Sequence, residues 1–235
     1  MQRFFADLNS ETMKLNDETV HHLLNVSRTK INEEFELCFN NEIYLCKVTK
    51  LKPFEFGIIK KLDFNSELPT DITLFFGLAK GDKIDFVIQK ATELGASEIV
   101  LVNTKNAVNK MDNTLFKKKY DRYNKIALNA SEQSHRNKIP TIKGIVELKD
   151  IKNYLKEINF VAYEKKNNEA IIDLANLKNY HSASIFIGPE GGFNQDEIDY
   201  LIELGIKPIS LGKRILRCET AAIYALSVLG YNLEK

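Results

Sequence analysis

Charge of one sign is the first thing this sequence of 235 residues lacks: 33 lysines and arginines face 32 aspartates and glutamates, for a formal net charge of +1. The global balance therefore carries no signal for a polyanionic partner, and any such signal must be local. Cysteine is scarce too. Cys38, Cys46 and Cys218 are three in number and widely scattered, which fits neither a disulfide framework nor the short repeated spacing of a zinc knuckle. Reduced thiols in a cytosolic core account for them, and no metal site is expected. Apolar runs long enough to cross a bilayer are missing. The N-terminal MQRFFADLNSETMKLND lacks the basic-then-apolar order of a secretory leader, so a cytoplasmic protein without membrane association is expected. Internal repeats and low-complexity tracts are absent as well. What is present is 44% hydrophobic and 28% charged residues, enough for a buried core under a solvated surface and unlike a disordered chain.

Short β-like runs fill the first part of the chain. Phe35–Phe39 and Ile43–Val48 flank Asn40-Asn41-Glu42, which reads as a hairpin. A third run, Phe54–Ile59, follows Pro53, and a short helix is expected over Asp17–Val26. The polar, proline-containing stretch Asn65–Asp71 is the best linker. We therefore expect a small β-rich domain over residues 1–68 and a larger one over 72–235. The second alternates strands (Ile72–Leu78, Ile99–Val102, Phe160–Tyr163, Ile185–Ile187, Pro208–Leu211) with helices (Lys83–Leu94, Thr114–His135, Gln195–Leu204, Glu219–Tyr231). That alternation is the signature of an α/β domain on a largely parallel sheet.

Open parallel sheets bind ligands at the carboxyl ends of their strands. Two such ends stand out. Ile187-Gly188-Pro189-Glu190-Gly191-Gly192-Phe193 is dense in glycine, which lets a ligand approach the main chain closely. It matches neither the dinucleotide fingerprint nor a phosphate-binding P-loop, and taken alone a tight strand-to-helix turn explains it equally well. Leu211-Gly212-Lys213-Arg214-Ile215-Leu216-Arg217-Cys218-Glu219 leaves a second strand and enters the last helix. Two such loops on one sheet are more specific than either. A local basic bias also appears: between Lys105 and Lys143 ten cations face three acids. That is a plausible phosphate footprint or a solvated helix face. Asn129, Glu132, Gln133 and Arg136 fall at the spacing of one helix face.

IGPEGGF followed by LGKRILRCETAA resembles the SPOUT class of methyltransferases and, within it, the ribosomal RNA small subunit methyltransferase E family. MQRFF, HLLNVSR (His22–Arg28), LAKGDKIDFVIQKATELG (Leu78–Gly95) and NASEQSHR (Asn129–Arg136) are similar to further motifs of that family. Ser27 and Cys218 depart from its pattern. The resemblance implies methylation of N3 of a uridine in 16S rRNA of the small ribosomal subunit, with S-adenosylmethionine as cofactor. It also implies a trefoil-knotted SPOUT domain preceded by a PUA-like domain, and a homodimer. By the same resemblance, Ile187, Gly188, Glu190, Gly191, Leu211, Gly212, Ile215 and Leu216 would hold the cofactor. Arg217 would stabilise the deprotonated base or grip a phosphate. Glu219 would orient Arg217, accept a proton, or simply favour the helix N-terminus. RNA would meet Arg3, His22, Arg28, Lys117, Lys118, Lys119, Gln133 and Arg136. Another SPOUT reaction (ribose 2′-O or tRNA base methylation) and a non-catalytic RNA-binding role in ribosome assembly are the alternatives.

Overall fold

A computed structural model describes residues 1–8, 10–108, 110–163 and 177–235. The chain forms two compact units: Met1–Glu67 together with Ser131–Lys138, and Leu68–Ala130 together with Ile139–Lys235.

The first unit carries a four-stranded sheet in the order β1 (Arg3–Phe5), β2 (Glu34–Phe39), β3 (Glu42–Leu51), β4 (Phe54–Leu62). β1 runs parallel to β2, and the other pairs are antiparallel. The β2–β3 turn holds Asn40 and Asn41 at φ of 51° and 62°. Asparagine tolerates this left-handed conformation better than most non-glycine side chains, which is why the Asn pair marks the turn. The inner face buries Phe4, Leu23, Phe35, Leu37 and Val48. The expected 17–26 helix is α-helical only over α1 (Asp17–His21), capped by the Asn16 side chain accepting from Thr19 N–H at 2.8 Å. It then widens into a π-helical turn over His22–Val26.

In the second unit six parallel strands lie in the order β10-β8-β9-β5-β6-β7. They are β5 (Asp71–Gly77), β6 (Glu98–Asn103), β7 (Thr141–Glu147), β8 (Ile158–Ala162), β9 (Ser182–Ile187) and β10 (Lys207–Ile209). Central strands are buried on both faces, so β5 and β9 read as mostly apolar, with unbroken runs at Leu74–Phe76 and Ile185–Ile187, and the Phe75 and Phe186 rings stack at 4.1 Å between centroids. α2 (Lys83–Glu93) ends against Gly95 at φ 87°, and α4 (Gln195–Glu203) opens with a capping box between Asn194 and Glu197. α5 (Cys218–Glu234) buries Ala221, Ala222, Ala225, Leu226, Leu229 and Leu233. Its small residues admit close packing against α2.

Two expectations need correction. β7 is a strand that the alternation above does not contain, because Lys143-Gly144 interrupts its apolar pattern. α3 (Asn113–Gln133) stops short of the expected end: His135 takes φ 56°, and Arg136 N–H bonds back to the Ser131 carbonyl at 2.9 Å. Arg136 therefore lies beyond the helix and does not share the helical face of Asn129 and Gln133.

Candidate active site

Because all six strands of the second sheet run the same way, the ends of β8, β9 and β10 open on one edge. A cavity of about 670 Å³ lies there, lined by Ala162, Ile187, Gly188, Leu211, Leu216 and Arg217 among others. That volume suits a small-molecule site.

Two loops and a helix start build the walls. After β9, the chain closes a turn through the Gly192 N–H to Pro189 carbonyl bond at 2.9 Å, with Gly192 at φ 64°. The Asn106 side chain pins this turn by donating to the carbonyls of Gly191 and Gly192 at 3.0 and 3.3 Å. The loop also lies hard against β5: a β-carbon on Gly77 would fall 2.5 Å from Pro189 Cδ and 2.9 Å from the Gly188 carbonyl carbon. After β10, Gly212 at φ 108° turns the chain, and its N–H donates to Ser210 Oγ at 3.2 Å. Arg217 then caps α5, its carbonyl accepting from Ala221 N–H at 2.8 Å.

Of the residues expected to hold a cofactor, Ile187, Gly188, Glu190, Leu211, Gly212, Ile215 and Leu216 line this one cavity, whereas Gly191 is not among its lining residues. Ile187, Leu211 and Leu216 supply apolar wall, and the glycines leave main-chain groups approachable. That donor and apolar set fits a nucleoside-bearing cofactor. Ile215 is 84% exposed at the mouth. The Arg217 side chain is exposed and has no hydrogen-bond or ion-pair partner among the described residues.

Glu219 does not line the cavity but stands behind it. Its carboxylate accepts from Cys218 Sγ–H at 3.2 Å and lies 3.4 Å from Lys83 Nζ. Burial alone would raise its pKa, but its own backbone N–H, Cys218 and Lys83 more than compensate and hold it below the ordinary carboxylate value. Glu190 is also held low against the effect of burial, by Lys80 N–H at 3.0 Å and Lys83 Nζ at 2.9 Å. Burial, with Glu219 second, pushes the Cys218 thiol up to about 12, so that thiol is no nucleophile at neutral pH. Lys83, Tyr163 and Phe193 also line the cavity. Phe193 closes the glycine loop singled out in the sequence, whereas Lys83 and Tyr163 do not stand out there as site residues, although Lys83 lies inside a motif that carries the family resemblance.

The residues expected at RNA are distributed otherwise. Lys117, Lys118 and Lys119 are exposed on α3, Gln133 is exposed at its end, and His22 and Arg28 are exposed in the first unit. Arg3 and Arg136 are 4% and 3% exposed. Arg3 pairs with Glu36 at 2.8 Å and donates to the His135 carbonyl, while Arg136 pairs with Glu67.

Residues 66–230 match the family described as RNA methyltransferase domain, and residues 15–59 match RNA methyltransferase PUA domain. The chain is 34% identical to ribosomal RNA small subunit methyltransferase E of Bacillus subtilis (strain 168), over 100% of this chain and 98% of that protein. It is 37% identical to the protein of the same name from Mesomycoplasma hyopneumoniae (strain 232), over 97% and 98%. Its fold superposes with a TM-score of 0.85 on the crystal structure of a ribosomal RNA small subunit methyltransferase E from Neisseria gonorrhoeae bound to S-adenosyl methionine, at 28% identity over 98% and 97% of the two chains. An RNA methyltransferase domain over most of its length, an RNA methyltransferase PUA domain before it, and end-to-end identity to these relatives place the chain in the ribosomal RNA small subunit methyltransferase E family.

Proposed function

We propose that this protein methylates N3 of a specific uridine in 16S rRNA of the small ribosomal subunit, with S-adenosylmethionine as methyl donor. The observation that carries the reading is the strand-end cavity whose rim bears an arginine with no partner among the described residues. When bound, the cofactor supplies an electrophilic methyl group. The chain supplies position and charge: Gly188, Leu211 and Gly212 offer main-chain contacts, and Ile187 and Leu216 exclude water.

Uracil N3 carries a proton that must leave, so negative charge develops on the base. Arg217 is free to meet that charge, and a cation at the cavity rim stabilises it. Glu219, ion-paired and held ionised, is a poor proton acceptor, because a general base works best with a pKa near the operating pH. Its role is to hold the first turn of α5. The target base leaves its stack to reach the cavity. Lys117, Lys118 and Lys119, with Gln133, His22 and Arg28, offer exposed contacts for phosphate and ribose, while the buried Arg3 and Arg136 keep the first unit together.

We assign two domains, 1–68 and 72–235, a trefoil knot at the C-terminal end, and a cytoplasmic homodimer on the same family resemblance. Tyr224 and Tyr231, 38% and 61% exposed on α5, support the dimer as an aromatic surface of the kind interfaces favour. Mass spectrometry of rRNA nucleosides from cells lacking the protein tests the reaction. Loss of 3-methyluridine from 16S rRNA, restored by the wild-type gene, is the expected result. Loss of a 2′-O-methyl or tRNA modification instead would replace the reading.

A further inference from the structure

Three separate segments meet at one ammonium. Lys83 opens α2, Glu190 sits in the glycine loop after β9, and Glu219 lies in the first turn of α5. Lys83 Nζ reaches Glu190 Oε1 at 2.9 Å and Glu219 Oε2 at 3.4 Å. The three side chains are 29%, 28% and 16% exposed, so the pairing is partly shielded from solvent. An isolated exposed ion pair contributes little. This one differs because a single ammonium is shared by two carboxylates from separate segments, so that it links the glycine loop to the first turn of α5.

Further donors fix the two carboxylates. Lys80 N–H donates to Glu190, and Cys218 Sγ–H donates to Glu219. Glu219 is two residues from Arg217, whose backbone forms the cap of the same helical turn. Anchoring Glu219 therefore anchors the point from which the Arg217 side chain springs.

We propose that Lys83 is a positioning residue of the transfer site: through Glu190 and Glu219 it ties the glycine loop to the first turn of α5, and so holds Arg217 at the cavity rim. The inference rests on the methyltransferase reading for its consequence, but not for its structural content. Lys83 lines the cavity, but its ammonium is taken up by the two carboxylates, and it acts through the segments that carry them. Against the effect of burial, Lys83 helps hold both carboxylates low, after Lys80 N–H at Glu190 and after the backbone N–H of Glu219 and Cys218 at Glu219. Without it, both carboxyls titrate at higher pH, and the acid limb of the rate profile moves upward.

The test compares Lys83→Met and Lys83→Gln with Lys83→Arg in the full-length protein. Hydrogen exchange of the cofactor-free protein is the first readout: in Met and Gln variants, amides of 188–193 and 217–221 exchange faster while those of β5 and β6 do not change. Calorimetry with S-adenosylmethionine then shows affinity about tenfold weaker, as for a lost charge-assisted contact. Single-turnover methyl transfer to small subunits is about tenfold to a hundredfold slower, as for a misplaced group, with its acid limb at higher pH. Lys83→Arg restores most of each. Unchanged exchange at 217–221, or a rate loss with an unmoved acid limb and no rescue by arginine, overturns the proposal. If the exchange pattern appears while the wild-type protein transfers no methyl group to uridine, the proposed reaction falls and the tie between the loops stands.

Discussion

Arg3 and Arg136 in the first unit and Arg214 and Arg217 in the second carry the same guanidinium in opposite surroundings. Arg3 is buried, with Nε and a terminal nitrogen on Glu36 Oε2, a main-chain carbonyl as further acceptor, and the Phe64 ring 5.1 Å away. Arg136 is buried against Glu67, whose carboxylate also accepts from the N–H groups of Asn137 and Lys138 at 2.9 and 3.0 Å. Arg214 and Arg217 line a cavity, exposed, with no partner among the described residues. A buried guanidinium persists only where its desolvation is offset by paired, hydrogen-bonded acceptors. One left without a partner beside a concave site remains available to an incoming anion. Residue type alone does not separate stability from function here; the acceptors around each arginine do.

The sharpest way to break this contrast is to truncate one arginine of each kind. Arg3→Ala leaves Glu36 poorly solvated without its cation, and removing one partner of a buried pair costs about 3–5 kcal/mol. Urea unfolding should show a loss of that order in the first unit, with cofactor affinity of the second unaltered. A loss below about 1 kcal/mol, the range of a surface pair, would return Arg3 to the pool of residues available to RNA. Arg217→Ala should do the reverse. The variant should melt and bind cofactor like the wild type. Its single-turnover rate should fall at least about a hundredfold, the effect of removing one preorganised charge-stabilising group. Arg217→Lys should recover part of the rate if charge dominates and little if planar geometry dominates. Turnover of the alanine variant at the wild-type rate would strip Arg217 of its catalytic role.

The contrast also shows where reading the sequence succeeds. The hairpin turn at Asn40-Asn41 and, apart from β7, the strand-helix alternation appear in the fold where expected, because they are local signals written in a few adjacent residues; the capping box at Asn194 and the glycine at position 95 are local in the same way. The two loops that form the cavity are visible because glycine density and strand ends coincide. Contacts between distant segments are not. Nothing adjacent to Arg3 announces Glu36 as its partner, nothing near Lys83 announces Glu190, and nothing near Gly77 announces Pro189. Arg136 departs from its expected place for a local reason of another kind: His135, with no glycine to mark the stop, takes a positive φ and ends α3 early.

Gly77 gives a third, smaller test of how the cavity side is held. A β-carbon there would meet main-chain and ring atoms of Gly188 and Pro189 at 2.5–2.9 Å, and the loop must yield, since β5 is a central strand. Overpacking of this kind costs about 1–3 kcal/mol. Gly77→Ala should therefore weaken S-adenosylmethionine binding in calorimetry while leaving the unfolding of the first unit unchanged. Affinity equal to that of the wild type would mean that the glycine loop does not shape the cofactor site.

The effect confined to the narrowest range of conditions comes from an acid of the first unit that, unlike Glu36 and Glu67, is not paired with an arginine. Glu132 is largely buried and accepts from Phe5 N–H at 3.2 Å. Burial, with a lesser contribution from the negative charge of Glu18, raises its pKa from 4.5 to about 7, against the opposing Phe5 hydrogen bond. The folded state thus keeps a proton that the unfolded chain releases at lower pH. Between those two values the folded state binds more protons, so stability falls as pH rises through this window and levels off above it. This is the opposite of the usual salt-bridged carboxylate. Glu132→Gln keeps an oxygen to accept from Phe5 and removes the titration. The variant should match the wild type in urea titrations below about pH 4.5, exceed it increasingly up to about pH 7 and by about 3 kcal/mol above that, since a tenfold change in proton affinity corresponds to about 1.4 kcal/mol. A wild-type stability that rises across the same window would mean that Glu132 is ionised and paired in the folded protein, and that the first unit treats its acids as it treats its arginines.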